Sequence, residues 1–130
     1  MTWLAPIVLL FAQAAPATAP KAVDPKVEAQ IPLIADKLQA WRGTWGAVQG
    51  KLGCKTTTST GDREIDLIGC QAVLACIRPA YPELKAIADG QAAEADKKRL
   101  MTAKLAGLDT CMKQHRGQGI AELALKRGTS

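Results

Sequence analysis

The chain has 130 residues and a formal net charge of +5, from 17 Lys and Arg against 12 Asp and Glu. This length allows one domain with a modest core, and 3 Trp, 1 Tyr and 1 Phe argue against an aromatic-rich β-sandwich or barrel. Asn is absent, which excludes an N-glycosylation sequon. Ala, Leu, Lys and Gln dominate outside the loops, and these residues favour helix.

The N-terminal 19 residues are typical of a signal peptide. Residues 3–11 form a short apolar run, and Ala12-Gln13-Ala14 and Ala17-Thr18-Ala19 follow it with the small-x-small pattern of a cleavage site. The run is shorter than the roughly 20 residues that span a bilayer. We therefore predict a signal peptide over residues 1–19, a periplasmic or secreted protein, and no transmembrane anchor after cleavage.

Residues 20–130 are predicted to form a single helical domain with a disordered start and a frayed C-terminal end. Asp24-Pro25 provides an N-cap followed by Pro at the first helical position. Apolar residues then recur at spacings of four and three, which predicts a long first helix: Val27, Ile31, Ile34, Leu38, Trp41, Trp45, Val48 and Leu52. Four glycines lie on its opposite face, so the helical state of residues 43–53 stays open.

A second helix is predicted to begin after Asp62, because Asp is a good N-cap and two carboxylates follow in the first turn. Pro79 predicts its end at Arg78, and a short helix is expected over residues 83–88. A long helix is expected over about residues 91–115, and Gly117-Gln118-Gly119 is expected to separate it from a last short helix over residues 120–126.

Four cysteines in a short exported chain indicate a disulfide framework. On a helix, Cys70 and Cys76 lie about 9 Å apart along the axis and point about 240° apart around it, so they do not bond to each other. Two pairings remain. An antiparallel arrangement of the first two helices favours Cys54–Cys70 with Cys76–Cys111 over Cys54–Cys76 with Cys70–Cys111. The fold class expected is a small, all-α, disulfide-stapled bundle of three to five helices.

Metal and catalytic motifs are scarce in this sequence. Cys111 and His115 are four residues apart and share a helix face, so they are possible metal ligands or a thiolate–imidazole pair. No further ligand stands at a suggestive spacing, and no Cys-x-x-Cys, phosphate loop, nucleophile elbow or His-Glu-x-x-His is present. We therefore expect no metal, no cofactor and no enzymatic activity.

Two surfaces are candidates for binding. Trp41 and Trp45 lie on the apolar seam of the first helix, either in the core or as anchors for a partner. The second surface is basic: from Lys97 onward eight basic residues face two acidic ones, a net +6, and the rest of the chain has −1. Its candidate contacts to anionic lipids or glycans are Lys97, Lys98, Arg99, Lys113 and Arg116.

The function expected is that of a non-enzymatic periplasmic or secreted binding protein of the inhibitor, immunity or chaperone type, whose partner is another protein. The alternative is an envelope-associated protein held to anionic lipids or glycans by its basic C-terminal region. Nucleic acid is not expected as a partner, because no aromatic residues are interleaved with the basic ones.

Overall fold

The computed structural model describes residues 24–129, so the predicted signal peptide and the predicted disordered start lie outside the described residues. The protein is mostly helical but contains a small sheet, which corrects the all-α expectation. Its elements in chain order are α1 (Pro25–Gln39), β1 (Arg42–Val48), β2 (Lys51–Thr58), α2 (Arg63–Asp89), α3 (Glu94–Ala106) and α4 (Asp109–Thr129).

Helix α1 begins as the sequence predicts but ends earlier. The side chain of Asp24 accepts a hydrogen bond of 2.8 Å from the backbone N–H of Lys26, and Pro25 is the first helical residue. The helix stops at Gln39 instead of continuing towards Leu52. The apolar residues after Leu38 continue the helical spacing, but they lie outside α1.

Strands β1 and β2 form an antiparallel hairpin where the long first helix was expected. Val48 pairs with Lys51, so the connection is the two-residue turn Gln49-Gly50. Both turn residues have positive φ, 51° and 76°, as in a type I′ hairpin turn. Residues 43–53 contain four glycines, which weaken a helix, and β-branched Thr residues 56–58 suit a strand.

Helix α2 is the centre of the fold and contacts every other helix and both strands. Asp62 caps it as predicted, accepting hydrogen bonds from the backbone N–H groups of Glu64 and Ile65. The predicted end at Arg78 is wrong, because the helix continues through Pro79 and Pro82 to Asp89. Both prolines are exposed, so the backbone carbonyls that lose their donors can bond to water.

The C-terminal third also departs from the predicted boundaries. Helix α3 ends at Ala106, before Gly107, and α4 runs without a break from Asp109 to Thr129. Gly119 was expected to break this helix but packs on Ile68 of α2, where a Cβ would lie 2.8 Å from Cγ2. The expected frayed end is likewise helical, with Gly128 buried against Val27.

The core lies between α1, α2 and α4. Ile34, Ile65 and Ile77 are fully buried at its centre, and Leu123 and Ala124 close it from α4. Helix α3 has no buried residue and packs only through half-buried side chains such as Met101 and Leu105. Among the described residues, no helix has the length and apolar character needed to cross a membrane.

Two disulfide bridges tie α2 to its neighbours on two sides. Cys54 of β2 is bonded to Cys70, and Cys76 is bonded to Cys111 of α4. This is the pairing preferred from the sequence, although the first partner is a strand and not a helix. The first bridge thus joins two consecutive elements, and the second joins α2 to α4 across a separation of 35 residues. None of the described cysteines is free.

Candidate functional site

Trp41 belongs to the core. Its side chain is 5% exposed and lies against Gly69 of α2, and its indole Nε1–H donates a hydrogen bond of 2.9 Å to the hydroxyl of Thr56. Of the two alternatives left open for Trp41, the structure shows the core position: the ring is enclosed, and its one polar group is already satisfied. Trp41 holds the start of the hairpin against α2.

Trp45 lies in the middle of β1, directly opposite Cys54. It is half-buried and shares the inner face of the hairpin with Ala47 and Leu52. Trp45 and Leu52 both pack against the edge of the core. Part of Trp45 therefore remains accessible, and it is the one of the two tryptophans that stays a candidate for contact with a partner.

The outer face of the hairpin carries the residues that alternate with this inner set. We define this outer face by its six residues, which pair across the strands as Thr44 with Lys55, Gly46 with Gly53, and Val48 with Lys51. All six are exposed. They line most of a shallow open groove of about 480 Å³.

A pair of glycines forms the middle of the outer face. Gly46 lies opposite Gly53, and a Cβ at either position would meet no atom within 4 Å. Neither residue has the positive φ that favours glycine. Glycine weakens a strand compared with a residue that has a side chain, so neither steric crowding nor backbone conformation accounts for this pair.

Charge on the hairpin has one sign. Arg42, Lys51 and Lys55 are exposed, and no acidic residue occurs between residues 42 and 61. The guanidinium of Arg42 donates to the backbone carbonyls of Gln39 and Trp41 at 2.8 Å, so it stabilises the end of α1. Lys51 and Lys55 form no ion pair with a described residue, and they flank the glycine pair. The outer face is therefore apolar at Val48 and positively charged at both ends.

Three of the five basic C-terminal candidates form ion pairs with acidic neighbours on their own helix. Lys97 pairs with Glu94, Arg99 with Asp96, and Lys113 with Asp109. Lys97 also donates to the backbone carbonyl of Ala88 at 3.0 Å.

Two of these five candidates, Lys98 and Arg116, have no ion pair among the described residues. Lys98 is exposed and lines an open groove of about 540 Å³ with Lys97 and Met101. Arg116 is half-buried, and its Nε is buried without a hydrogen-bond partner in the described part of the chain. The structure therefore does not bring the five candidates together as one unpaired positive surface.

Three ion pairs join the start of α2 to the end of α4: Arg127 pairs with Asp62 and with Glu64, and Lys126 pairs with Glu64. Arg127 donates to both carboxylate oxygens of Asp62, at 2.9 and 2.7 Å, and Lys126 donates to Glu64 at 2.7 Å. Partial burial opposes ionisation of Asp62, but the hydrogen bonds and charge of Arg127 hold its pKa below the usual value. The hydrogen bond from Lys126 lowers the pKa of Glu64 in the same sense.

A third carboxylate of this helix orders the loop before it. Asp66 accepts hydrogen bonds from the hydroxyl of Ser59 and from the backbone and hydroxyl of Thr60. The bond from Ser59 is the largest cause of the lowered pKa of Asp66. Each of these three acidic side chains therefore has a structural partner.

The imidazole of His115 lies beside the second disulfide. One of its ring nitrogens and the sulfur atoms of Cys76 and Cys111 all lie within 4.8 Å of one another. The sequence indicated Cys111 and His115 as neighbours on one helix, and the fold adds Cys76 from α2 as the third member of the cluster. With both sulfur atoms in a disulfide, the cluster cannot bind a metal as it stands.

Comparisons with protein-family models, with curated proteins and with solved structures find no match to this chain. Function has to be inferred from its own residues.

The sequence did contain a signal for the outer face. Gly50 lies between Val48-Gln49 and Lys51-Leu52, and glycine readily takes the positive φ that a two-residue hairpin turn needs. That is a signal for a hairpin turn. It was obscured because Trp41, Trp45, Val48 and Leu52 also satisfy helical spacing. Consequently Gly46, Gly53 and Lys55 were not recognised as one surface.

Proposed function

We propose that this chain is a non-enzymatic binding protein of the periplasm or the extracellular space, of the inhibitor, immunity or chaperone type, and that it binds a protein partner through the outer face of the hairpin. The single observation that carries this proposal is the Gly46–Gly53 pair. Its backbone is bare and exposed although no crowding or strain requires glycine there. A requirement for close approach by another molecule accounts for both residues.

The chemistry of the outer face defines the partner. Val48 is 75% exposed and offers an apolar contact, whereas Lys51 and Lys55 offer positive charge at the rim. Interfaces combine an apolar centre with a charged or polar rim, and complementary charge increases the rate of association. The partner surface is therefore a protruding apolar side chain that covers the glycine pair, with carboxylates near the two lysines.

The anchoring of the hairpin supports this role. The Cys54–Cys70 bridge and the hydrogen bond from Trp41 to Thr56 both hold the hairpin on α2. A surface that is already fixed loses less conformational entropy on binding than a loose one. These contacts lie on the inner side of the hairpin or near its base, so they leave the outer face accessible.

The predicted compartment is consistent with the cysteines. Two disulfide bridges use all of them, and such bridges persist in the periplasm and outside the cell, whereas they are rare in the cytosol. The envelope-associated alternative is weakened by the acidic partners of Lys97, Arg99 and Lys113. Binding by charge alone would also decrease steeply as salt increases, which separates the two proposals.

Capture from an envelope extract by oxidised, immobilised protein tests the proposal. The variants are Val48→Asp and the double charge reversal Lys51→Glu/Lys55→Glu. The matched controls are Leu125→Asp, at an apolar residue of α4 that is 57% exposed, and Lys98→Glu. We expect a partner that wild type and both controls capture and that both hairpin variants lose, with thermal unfolding unchanged. Equal capture by the hairpin variants and wild type would refute the proposal.

A further inference from the structure

The cluster of Cys76, Cys111 and His115 has the composition of a zinc ligand set. Thiolate and imidazole are ligands that Zn²⁺ prefers, at about 2.3 Å for sulfur and 2.0–2.1 Å for nitrogen. The three donor atoms lie within 4.8 Å of one another. His115 is exposed, whereas Cys76 is buried and Cys111 half-buried, so an ion can reach the cluster from the side of the imidazole.

We infer that reduction of the Cys76–Cys111 bridge creates a binding site for a thiophilic divalent cation such as Zn²⁺, with the two thiolates and the His115 imidazole as ligands. The fourth position is left to solvent. The site is redox-dependent, because the sulfur atoms serve as thiolate ligands only after the disulfide is broken. This inference is independent of the proposed function, since it involves the bridge from α2 to α4 and not the hairpin.

Contacts other than the disulfide hold α2 and α4, the helices that carry the ligands, together after reduction. Gly119 of α4 packs on Ile68 of α2, and Arg127 pairs with Asp62. The Cα atoms of Cys76 and Cys111 are 5.9 Å apart, and two sulfur ligands of one tetrahedral Zn²⁺ lie about 3.8 Å apart at normal bond lengths. Rotation of the two side chains can therefore open the required space while the backbones stay in place.

Position along α4 fixes the third ligand. His115 follows Cys111 by four residues, so one turn of helix holds both side chains on the same face. The groove beside this cluster, about 210 Å³, is also lined by Gln118 and Glu122. Its walls include both polar and apolar side chains, and His115 itself is exposed, so the approach to the imidazole is open to water.

The first disulfide provides an internal comparison. Cys70 has the hydroxyl of Thr56 4.0 Å from its sulfur, and a neutral hydroxyl is a weak ligand for Zn²⁺. Within residues 24–129, the Cys76 cluster is the one group of three His, Cys, Asp or Glu side chains placed to hold a metal ion. Reduction of Cys54–Cys70 should therefore create no comparable site.

The chemistry requires a dithiol reductant. The dithiol gives two electrons and two protons to the Cys76–Cys111 bond, which breaks to form two thiols, while the dithiol itself becomes a disulfide. Zn²⁺ then displaces one proton from each thiol and forms two Zn–S bonds, and a lone pair of the neutral imidazole forms the Zn–N bond. Two protons are released for each ion bound.

Titration of the full folded chain with Zn²⁺ and with Co²⁺ as a spectroscopic probe tests this site. The reduced wild type should bind one ion, show thiolate-to-cobalt charge transfer, and gain thermal stability with Zn²⁺, because the ion binds the folded state. The oxidised wild type should show none of these changes. Cys54→Ser/Cys70→Ser should bind like wild type after reduction, and Cys76→Ser/Cys111→Ser should not bind.

His115→Ala separates a built site from binding by two loose thiols. Removal of an outer-shell partner already weakens metal affinity by about 10–100-fold, so loss of a direct ligand should weaken it by at least about tenfold. Circular dichroism of the reduced proteins establishes that each variant remains helical. Equal affinity in His115→Ala and wild type, no binding by reduced wild type, or binding only by an unfolded reduced chain would each overturn the inference.

Discussion

Two glycines of this protein, Gly69 in the core and Gly53 on the hairpin, lie in opposite surroundings. Gly69 of α2 is buried under the ring of Trp41, where a Cβ would lie 2.4 Å from a ring carbon. Gly53 on the outer face of the hairpin has open space above it. Close packing therefore explains why residue 69 is glycine, but it does not explain why residue 53 is glycine. The difference separates the helical core, where the fold explains the residue type, from the outer face, where it does not.

The largest loss of stability is expected for Trp41→Ala, on the core side of this comparison. Replacing a buried Trp by Ala typically costs about 3–5 kcal/mol of unfolding free energy, and here it also removes the hydrogen bond to Thr56. Trp41→Phe keeps most of the ring and should lose less. Chemical denaturation measures both. A loss below about 0.5 kcal/mol for Trp41→Ala would show that Trp41 is not part of the core.

The two disulfide bridges should contribute unequally to the free energy of unfolding. Cys76–Cys111 closes a separation of 35 residues and Cys54–Cys70 one of 16. Loop-closure entropy then predicts losses of about 4 and about 3 kcal/mol for the paired Cys→Ser variants. Denaturant unfolding of the two double variants tests the order. The opposite order would mean that native-state effects outweigh chain entropy at these positions.

Gly69→Ala tests the packing explanation directly. In an exposed helix this change stabilises by roughly 1 kcal/mol, but here the new methyl group collides with Trp41. Overpacking a core costs about 1–3 kcal/mol, so we expect a net destabilisation. Gly117→Ala on α4, where a Cβ would meet nothing within 4 Å, is the matched control and should be stabilising. Stabilisation by both changes would contradict the close contact.

Acid should weaken the junction of α2 and α4. The pKa values of Asp62, Glu64 and Asp66 are lowered in the folded protein, so below about pH 4 the unfolded chain binds more protons. The stability that these groups contribute is complete above their unfolded pKa values. It is lost as pH falls through the lower folded values.

Asp62→Asn isolates one part of this effect. The amide can still cap α2 but loses the ion pair with Arg127, so we expect a loss of about 1 kcal/mol at neutral pH. Asp62→Ala also removes the cap and should lose about 1 kcal/mol more. Thermal unfolding from pH 2 to pH 7 measures both. If Asp62→Asn keeps the full acid slope of wild type, the pair with Arg127 does not cause it.

The sequence predicted the parts of this fold that depend on local chemistry. The caps at Asp24 and Asp62 and the central position of α2 follow from residues close in the chain. The hairpin could not be predicted in this way, because the apolar residues from Trp41 to Leu52 fit helical spacing although residues 42–48 and 51–58 form strands. Pro79 and Gly119 likewise stay within helices because burial of neighbouring residues outweighs their local cost.

One of the two candidate surfaces shows the same limit. Trp41 was recognised as a choice between core and interface, but residue type alone could not decide. The acidic partners of Lys97, Arg99 and Lys113 lie three or four residues away on the same helix, so residue spacing alone indicates these pairs. A net charge counted from Lys97 onward does not show them, because it leaves out Glu94 and Asp96.

One measurement tests the central claim most directly: unfolding and partner capture determined in parallel for Gly46→Val/Gly53→Thr. β-Branched residues suit strands, so this variant should unfold at the wild-type temperature or above it, by an amount worth up to about 1 kcal/mol. It should also fail to capture the partner that wild type binds. A variant that is equally stable and captures the partner as well as wild type would contradict the account.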